Sequence, residues 1–212
     1  MEKTICIIIL FSVICGNAFS QNGRKLNEAE KQVFEQKMIE QLQNIKTLQC
    51  TFVQEKTSSL VIEKAVTKGI MMYQSSSMLR WEYTEPIPST LILNGNNAVL
   101  LNNDGNRLGN ESMLRQLGGI IISMINGNSI TQQNRQFSTE FYELDNAQML
   151  VVLTPVQRRL RDLYNKIELR IDPKTMLADN ITLEEKMGDK MVILLTNKVL
   201  NQEISQSKFA IR

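Results

Sequence analysis

The chain has 212 residues, with 24 Lys and Arg against 22 Asp and Glu, a net charge of +2 and no histidine. A near-neutral balance with no basic patch interleaved with aromatics excludes a nucleic-acid role. The missing histidine removes the commonest general base and metal ligand, so no Ser-His-Asp or Cys-His site can be built within this chain. No catalytic group, metal site or cofactor is expected.

Residues 1–20 read as a signal peptide. Lys3 supplies a positive start, Ile5 to Ile14 an apolar stretch, and Ala18-Phe19-Ser20 the small residues that precede cleavage after Ser20. The apolar run is too short to span a bilayer. Cys15 follows Ile14 rather than a small residue, which disfavours lipidation there. Cleavage removes Cys6 and Cys15 and leaves Cys50 alone. An internal disulfide is then impossible, so apolar packing must hold the fold. Residues 21–212 suffice for one exported domain with a sizeable core.

Residues 21–26 read as a flexible leader. Asn27-Glu28-Ala29-Glu30 fits a capping box, and Val33, Phe34, Met38, Leu42 and Ile45 form an apolar helical stripe to about residue 45. Short strands follow at 48–56, 64–74, 78–84, 90–93 and 98–102, with hairpin turns at 75–77 and 94–96. Pro86 and Pro88 are expected to break pairing between the third and fourth of these strands. A second helix spans about Glu111 to Ile125, apolar almost all round from Leu117, with a bend expected at Gly118-Gly119. Strands resume with the alternating Lys166–Ile171 run and the continuous apolar runs Met149–Leu153 and Met191–Leu195. Those two runs predict strands covered on both faces, by a cavity and by a helix. The fold class is mainly β: one strongly curved antiparallel sheet, an incomplete barrel, covered by a helical lid.

Several motifs stand in a telling order: Phe52-x-Gln54, then Lys68-Gly69-Ile70, then Arg80-Trp81-Glu82-Tyr83-x-x-Pro86, then Asn94-Gly95-x-x-Ala98. Leu153-Thr154-Pro155, Ile167–Ile171, Gly188 and Phe209 continue the pattern. This series, across residues 27–212, resembles the periplasmic outer-membrane lipoprotein carrier (LolA-like) family. The resemblance implies a periplasmic, monomeric, non-catalytic chaperone that shields lipoprotein acyl chains in an apolar cavity. It further implies an inner-membrane ABC-type release complex as donor and an outer-membrane acceptor.

By residue match Arg80 would latch the lid through backbone carbonyls. On the residues alone it is as well read as a strand charge paired with Glu82 or Glu85. Trp81 reads as a structural anchor whose N–H wants one partner. Met71, Met78, Met113, Leu117, Ile121, Met124, Ile167, Leu169 and Ile171 are the candidate cavity and lid lining, with the first helix adding its apolar face. Cys50 reads as a buried, inert thiol. The family's frequent extra C-terminal strand is missing from the pattern. Two other readings stay open: a carrier of the same fold for another lipid (a glycolipid or polyketide acyl product), and a non-catalytic envelope interaction protein.

Overall fold

The computed structural model describes residues 23–60, 63–75, 77–109, 111–127, 136–145 and 147–211, with the backbone alone for 111–117. The signal-peptide reading of residues 1–20 and the side chains of Met113 and Leu117 lie outside the described residues.

Residues 23–26 are part of the fold, contrary to the leader expected there. Arg24–Lys25 form a two-residue strand, β1, paired with β7 (Phe137–Glu143). Leu26 N–H adds a bond to Phe141 O. Helix α1 (Glu28–Leu42) then starts as expected, with the Asn27 side chain accepting from Glu30 N–H and the Glu30 carboxylate accepting from Asn27 N–H. The buried face is Phe34, Met38 and Leu42, and it includes Glu35 rather than Val33: Glu35 is 8% exposed and Val33 71%. At about 100° per residue, Glu35 falls roughly 60° from the centre of that face and Val33 roughly 140° away. Phe34 meets Phe141 edge-on at 5.5 Å, which seats α1 over the β7 side of the sheet.

The strands that follow are β2 (Thr47–Thr57), β3 (Lys64–Gln74), β4 (Met78–Glu85), β5 (Ser89–Asn94) and β6 (Asn97–Asn102). After helix α2 (Glu111–Ile125) come β7, β8 (Met149–Pro155), the one-turn helix α3 (Arg158–Arg161), β9 (Tyr164–Ile171), β10 (Ala178–Glu185) and β11 (Lys190–Leu200). Among the described residues eleven strands form one antiparallel sheet in the order β1-β7-β8-β9-β10-β11-β2-β3-β4-β5-β6, with β1 and β6 at its ends. Register shifts interrupt the β9–β10, β11–β2 and β3–β4 ladders. Such bulges increase local twist and bend a sheet.

Two expectations are corrected. Pro86 and Pro88 do not separate β4 from β5; the strands pair from Met78↔Asn94 to Tyr83↔Ser89, and the prolines occupy the connection beyond that last pair. The run Met191–Leu195 is not covered on both faces, and in Met149–Leu153 the outward Leu150 and Val152 are only half-buried. Val151, Leu153, Ile193 and Leu195 are buried, whereas Leu194 is 46% exposed. Helix α2 runs unbroken through Gly118-Gly119. Gly118 is there for proximity, since a Cβ on it would lie 2.4 Å from a Leu93 methyl.

The core fills the concave side of the sheet beneath both helices. A smaller buried set lies on the convex side, where Met72, Ile92 and Val99 share a cross-strand row with Arg80. There the chain end docks a 3-10 turn, Gln206–Phe209, on β4 and β5, with Phe209 fully buried. Asn94 Nδ2 donates to Phe209 O at 3.2 Å. The C-terminal segment is thus an outer strap rather than a further strand.

Candidate functional site

The site grows from a close approach of three strands. Phe52, Gly69 and Tyr83 stand in one cross-strand row of β2, β3 and β4. A side chain on Gly69 would place its Cβ 1.9 Å from Glu82 O and 2.5 Å from the Phe52 ring. Only glycine lets the Phe52 ring lie over this backbone. That ring then packs on Trp81 at 4.3 Å and meets Tyr83 edge-on at 5.5 Å. Each such aromatic pair adds about 0.5–1.5 kcal/mol beyond the area it buries.

Above this cluster, between α2 and the concave face, lies a cavity of about 360 Å³. Its walls are mainly apolar: Leu91, Leu100, Ile120, Ile121, Met124, Ile181, Leu183, Met191 and Ile193, with Trp81. Gln54, Lys56, Tyr83, Tyr164 and Glu185 are the polar members of the wall. A narrow recess beyond it adds Met71, Leu169 and Ile171.

The charged members are tied together. Lys56 Nζ lies 3.0 Å from Glu185 Oε1 and 3.4 Å from Asp189 Oδ2. The hydrogen bond that Lys56 donates to Glu185 raises the Lys56 pKa, and the Ser59 N–H bond holds Asp189 below its ordinary value. Burial pushes the Tyr164 hydroxyl up to about 12, with the Glu185 charge adding to it. Burial also raises the Tyr83 hydroxyl, while Gln54 and Trp81 beside it pull its pKa back down. The Trp81 Nε1–H, on a side chain 2% exposed, has no acceptor among the described residues. Cys50 is fully buried and pushed up to about 12 by burial. Among the described residues no group of Cys, Asp and Glu is arranged to hold a metal, and no helix is long and apolar enough to cross a membrane.

The structure thus gathers Phe52, Gln54, Gly69, Trp81 and Tyr83 at one place. Gly95 adopts φ 58° as the first residue of the two-residue β5–β6 turn, and Pro86 sits in the β4–β5 connection. Of the proposed lining, Ile121 and Met124 wall the cavity, and Met71, Leu169 and Ile171 its recess. Ile167 is buried in the solid core and lies in neither wall. Met78 alternates onto the convex face with Arg80, since strand neighbours of the cavity-facing Trp81 point the other way. No α1 residue lines the cavity, because that helix is seated against the β7 side.

Arg80, on the convex face, points away from α2. Its Nε donates to Glu82 Oε2 at 2.8 Å and its Nη1 to Lys208 O at 3.3 Å. Among the described residues the geometry is that of a strand charge paired with Glu82, which also pins the C-terminal strap; neither bond reaches α2.

The sequence patterns do not pick out Lys56, Tyr164 and Glu185, nor Leu91, Leu100, Ile120, Leu163, Ile181 and Leu183 of the apolar wall. Lys56 was accessible by extending the Phe52, Gln54 alternation one step. Tyr164 and Glu185 depend on the shifted register at the end of the β9–β10 ladder, which no local pattern shows.

The model of the family described as outer membrane lipoprotein carrier protein LolA matches residues 43–212. No curated protein matches the sequence. Among solved structures, the chain is similar to an uncharacterized conserved protein from Thermus thermophilus, at 7% identity over 84% of this chain and 93% of that one, with a TM-score of 0.50. It is similar to a LolA superfamily protein from Nitrosomonas europaea, at 12% identity over 85% and 97%, with a TM-score of 0.48. It is similar to the lipoprotein LppX of Mycobacterium tuberculosis, at 10% identity over 84% and 99%, with a TM-score of 0.42. At 7% identity the Thermus thermophilus structure speaks to the fold alone.

Proposed function

The chain belongs to the LolA family of outer membrane lipoprotein carrier proteins, and we propose that it carries lipid acyl chains in the cavity beneath α2, without catalysis. The observation that carries this reading is the apolar cavity of about 360 Å³ between sheet and helix. Pockets of roughly 300–1,000 Å³ take a drug-sized apolar group. A larger cargo requires α2 to lift.

The energetics suit an exchange. Ile120, Ile122, Met124 and Ile125 of α2 are buried. Burying side chains of this kind is worth about 1.5–3 kcal/mol each, hence about 6–12 kcal/mol for the four together. An acyl chain of about 16 carbons gains about 12 kcal/mol on leaving water. Cargo and lid therefore compete for the sheet on nearly equal terms, and a carrier needs that balance both to load and to release.

On this reading the protein is exported to the periplasm after cleavage behind Ser20 and acts there as a monomer. It receives lipoproteins from an inner-membrane ABC-type release complex and passes them to an outer-membrane acceptor. The test is expression with residues 1–20 in place, purification from the periplasm, and mass spectrometry of an organic extract. Acylated material is expected in stoichiometric amount. A protein that emerges empty, and that also fails to take up the neutral fluorophore N-phenyl-1-naphthylamine, would overturn the proposal.

A further inference from the structure

The cavity is apolar, yet one patch of its wall is not. Trp81, Tyr83 and Gln54 all line it. The Tyr83 hydroxyl lies beside both the Gln54 amide and the Trp81 indole, whose influence shows in its titration. The Trp81 Nε1–H is buried and has no acceptor among the described residues. Directly across the β2–β3 ladder from Gln54, the Thr67 hydroxyl is likewise buried and unpartnered.

A buried donor left unpaired is costly, and buried indole N–H groups ordinarily find a partner. Phe52 cannot supply one; it fixes the indole by packing on its face at 4.3 Å. Trp81 N–H and the Gln54 NH₂ both face the Tyr83 oxygen, the indole without closing a hydrogen bond, so three donors share one wall of a space otherwise suited to hydrocarbon. The ligand that completes them has an acceptor oxygen next to a long apolar chain. A carboxylate is the poorer match, because Lys56 in the cavity wall is already paired with Glu185 of the same wall and with Asp189 outside it.

We propose that Gln54, Trp81 and Tyr83 form a carbonyl-recognition subsite that takes the ester oxygen of an ester-linked acyl chain. This rests on the carrier reading and narrows its cargo to acyl esters rather than hydrocarbon tails in general. It also fixes the depth of the cargo: the ester sits at the aromatic cluster, and the chain lies along the apolar wall beneath α2.

The test uses methyl laurate and dodecyl methyl ether, which differ by one carbonyl, displacing N-phenyl-1-naphthylamine from the full-length mature protein. The ester is expected to bind about threefold to tenfold more tightly, the range of one net hydrogen bond. In Trp81→Phe the ratio should fall toward one; Tyr83→Phe provides the same readout should Trp81→Phe fold poorly. Equal affinities in the wild type, or an undiminished ester preference in both folded variants, would overturn the subsite while leaving the carrier reading intact. Displacement by neither ligand would instead overturn the carrier reading and the subsite with it. Diacylglyceryl lipopeptide and phosphatidylglycerol, each compared with its dialkyl ether analogue, then show which lipid supplies the ester. A preference in neither pair counts against the subsite.

Discussion

Gly118 and Gly119 are neighbours in α2 with different surroundings, and alanine at each should have diverging effects. A Cβ on Gly119 would meet nothing within 4 Å. Gly119→Ala therefore keeps the full helix-propensity gain, about 1 kcal/mol. A Cβ on Gly118 would lie 2.4 and 2.5 Å from the two methyls of Leu93 and 3.0 Å from its Cγ. Leu93 is itself 3% exposed and has no open space to turn into. Overpacking of this kind costs about 1–3 kcal/mol. Because both variants share the propensity gain, that cost is the expected gap between them. In a domain of this size each kcal/mol moves Tm by about 2–4 °C. The assay is thermal and urea unfolding of both single variants, with Leu93→Ala and the Gly118→Ala/Leu93→Ala pair closing a double-mutant cycle. Trimming Leu93 should make Gly118→Ala favourable. Equal stability of the two glycine variants would refute the contact that seats α2 on β5.

Gly69→Ala should prevent soluble expression or destabilise by about 3 kcal/mol or more, because the Glu82 carbonyl at 1.9 Å is backbone and cannot turn aside; urea midpoints measure it. Phe209→Ala should cost about 3–5 kcal/mol, as for other fully buried aromatics, and a loss below about 1 kcal/mol would detach the C-terminal turn from the fold's stability. The Cys50 thiol, pushed up to about 12 from 9.0 by burial, should stay silent to a thiol reagent at pH 8 in the native protein and react once unfolded. Its folded pKa is the higher one, so its contribution to stability is complete below about pH 9 and is lost as the pH climbs toward 12. A stability curve that rises over that interval would contradict the burial. Native-state labelling at pH 8 as fast as in denaturant would contradict it equally.

The architecture was legible where periodicity is strict. The Ile167, Leu169, Ile171 alternation, the Asn27 capping box and the bounds of α2 each follow from residues adjacent in sequence, and the structure has them. Legibility failed where a side chain's surroundings come from elsewhere in the chain. Apolar spacing alone counts Val33 in a stripe from which helical geometry turns it outward, and Met78, apolar and flexible, suits a cavity although it has the parity of Arg80. The motif residues Phe52, Gln54, Gly69, Trp81 and Tyr83 could be named from order and spacing. Their convergence could not, because it needs the β2–β3–β4 register and the missing Cβ of Gly69. Arg80 shows the limit most clearly: its strand was readable, but its second partner, Lys208 O, is 128 residues away.

An open sheet has two ends at which backbone groups face outward, and such ends invite other strands to add themselves. Here each is blunted. At one, β1 is two residues long, both charged, with Arg24 held by Glu30 and Glu143 and Lys25 by Glu140. At the other, the segment after β6 folds back, Leu108 N–H bonding Leu100 O at 2.7 Å and Asn102 N–H bonding Asn106 O at 2.9 Å. A barrel left unclosed can thus open for a guest without offering its borders to a neighbour. The molecule keeps the adaptability of an unsealed wall while avoiding the fibre-forming contacts that an exposed rim would otherwise promote.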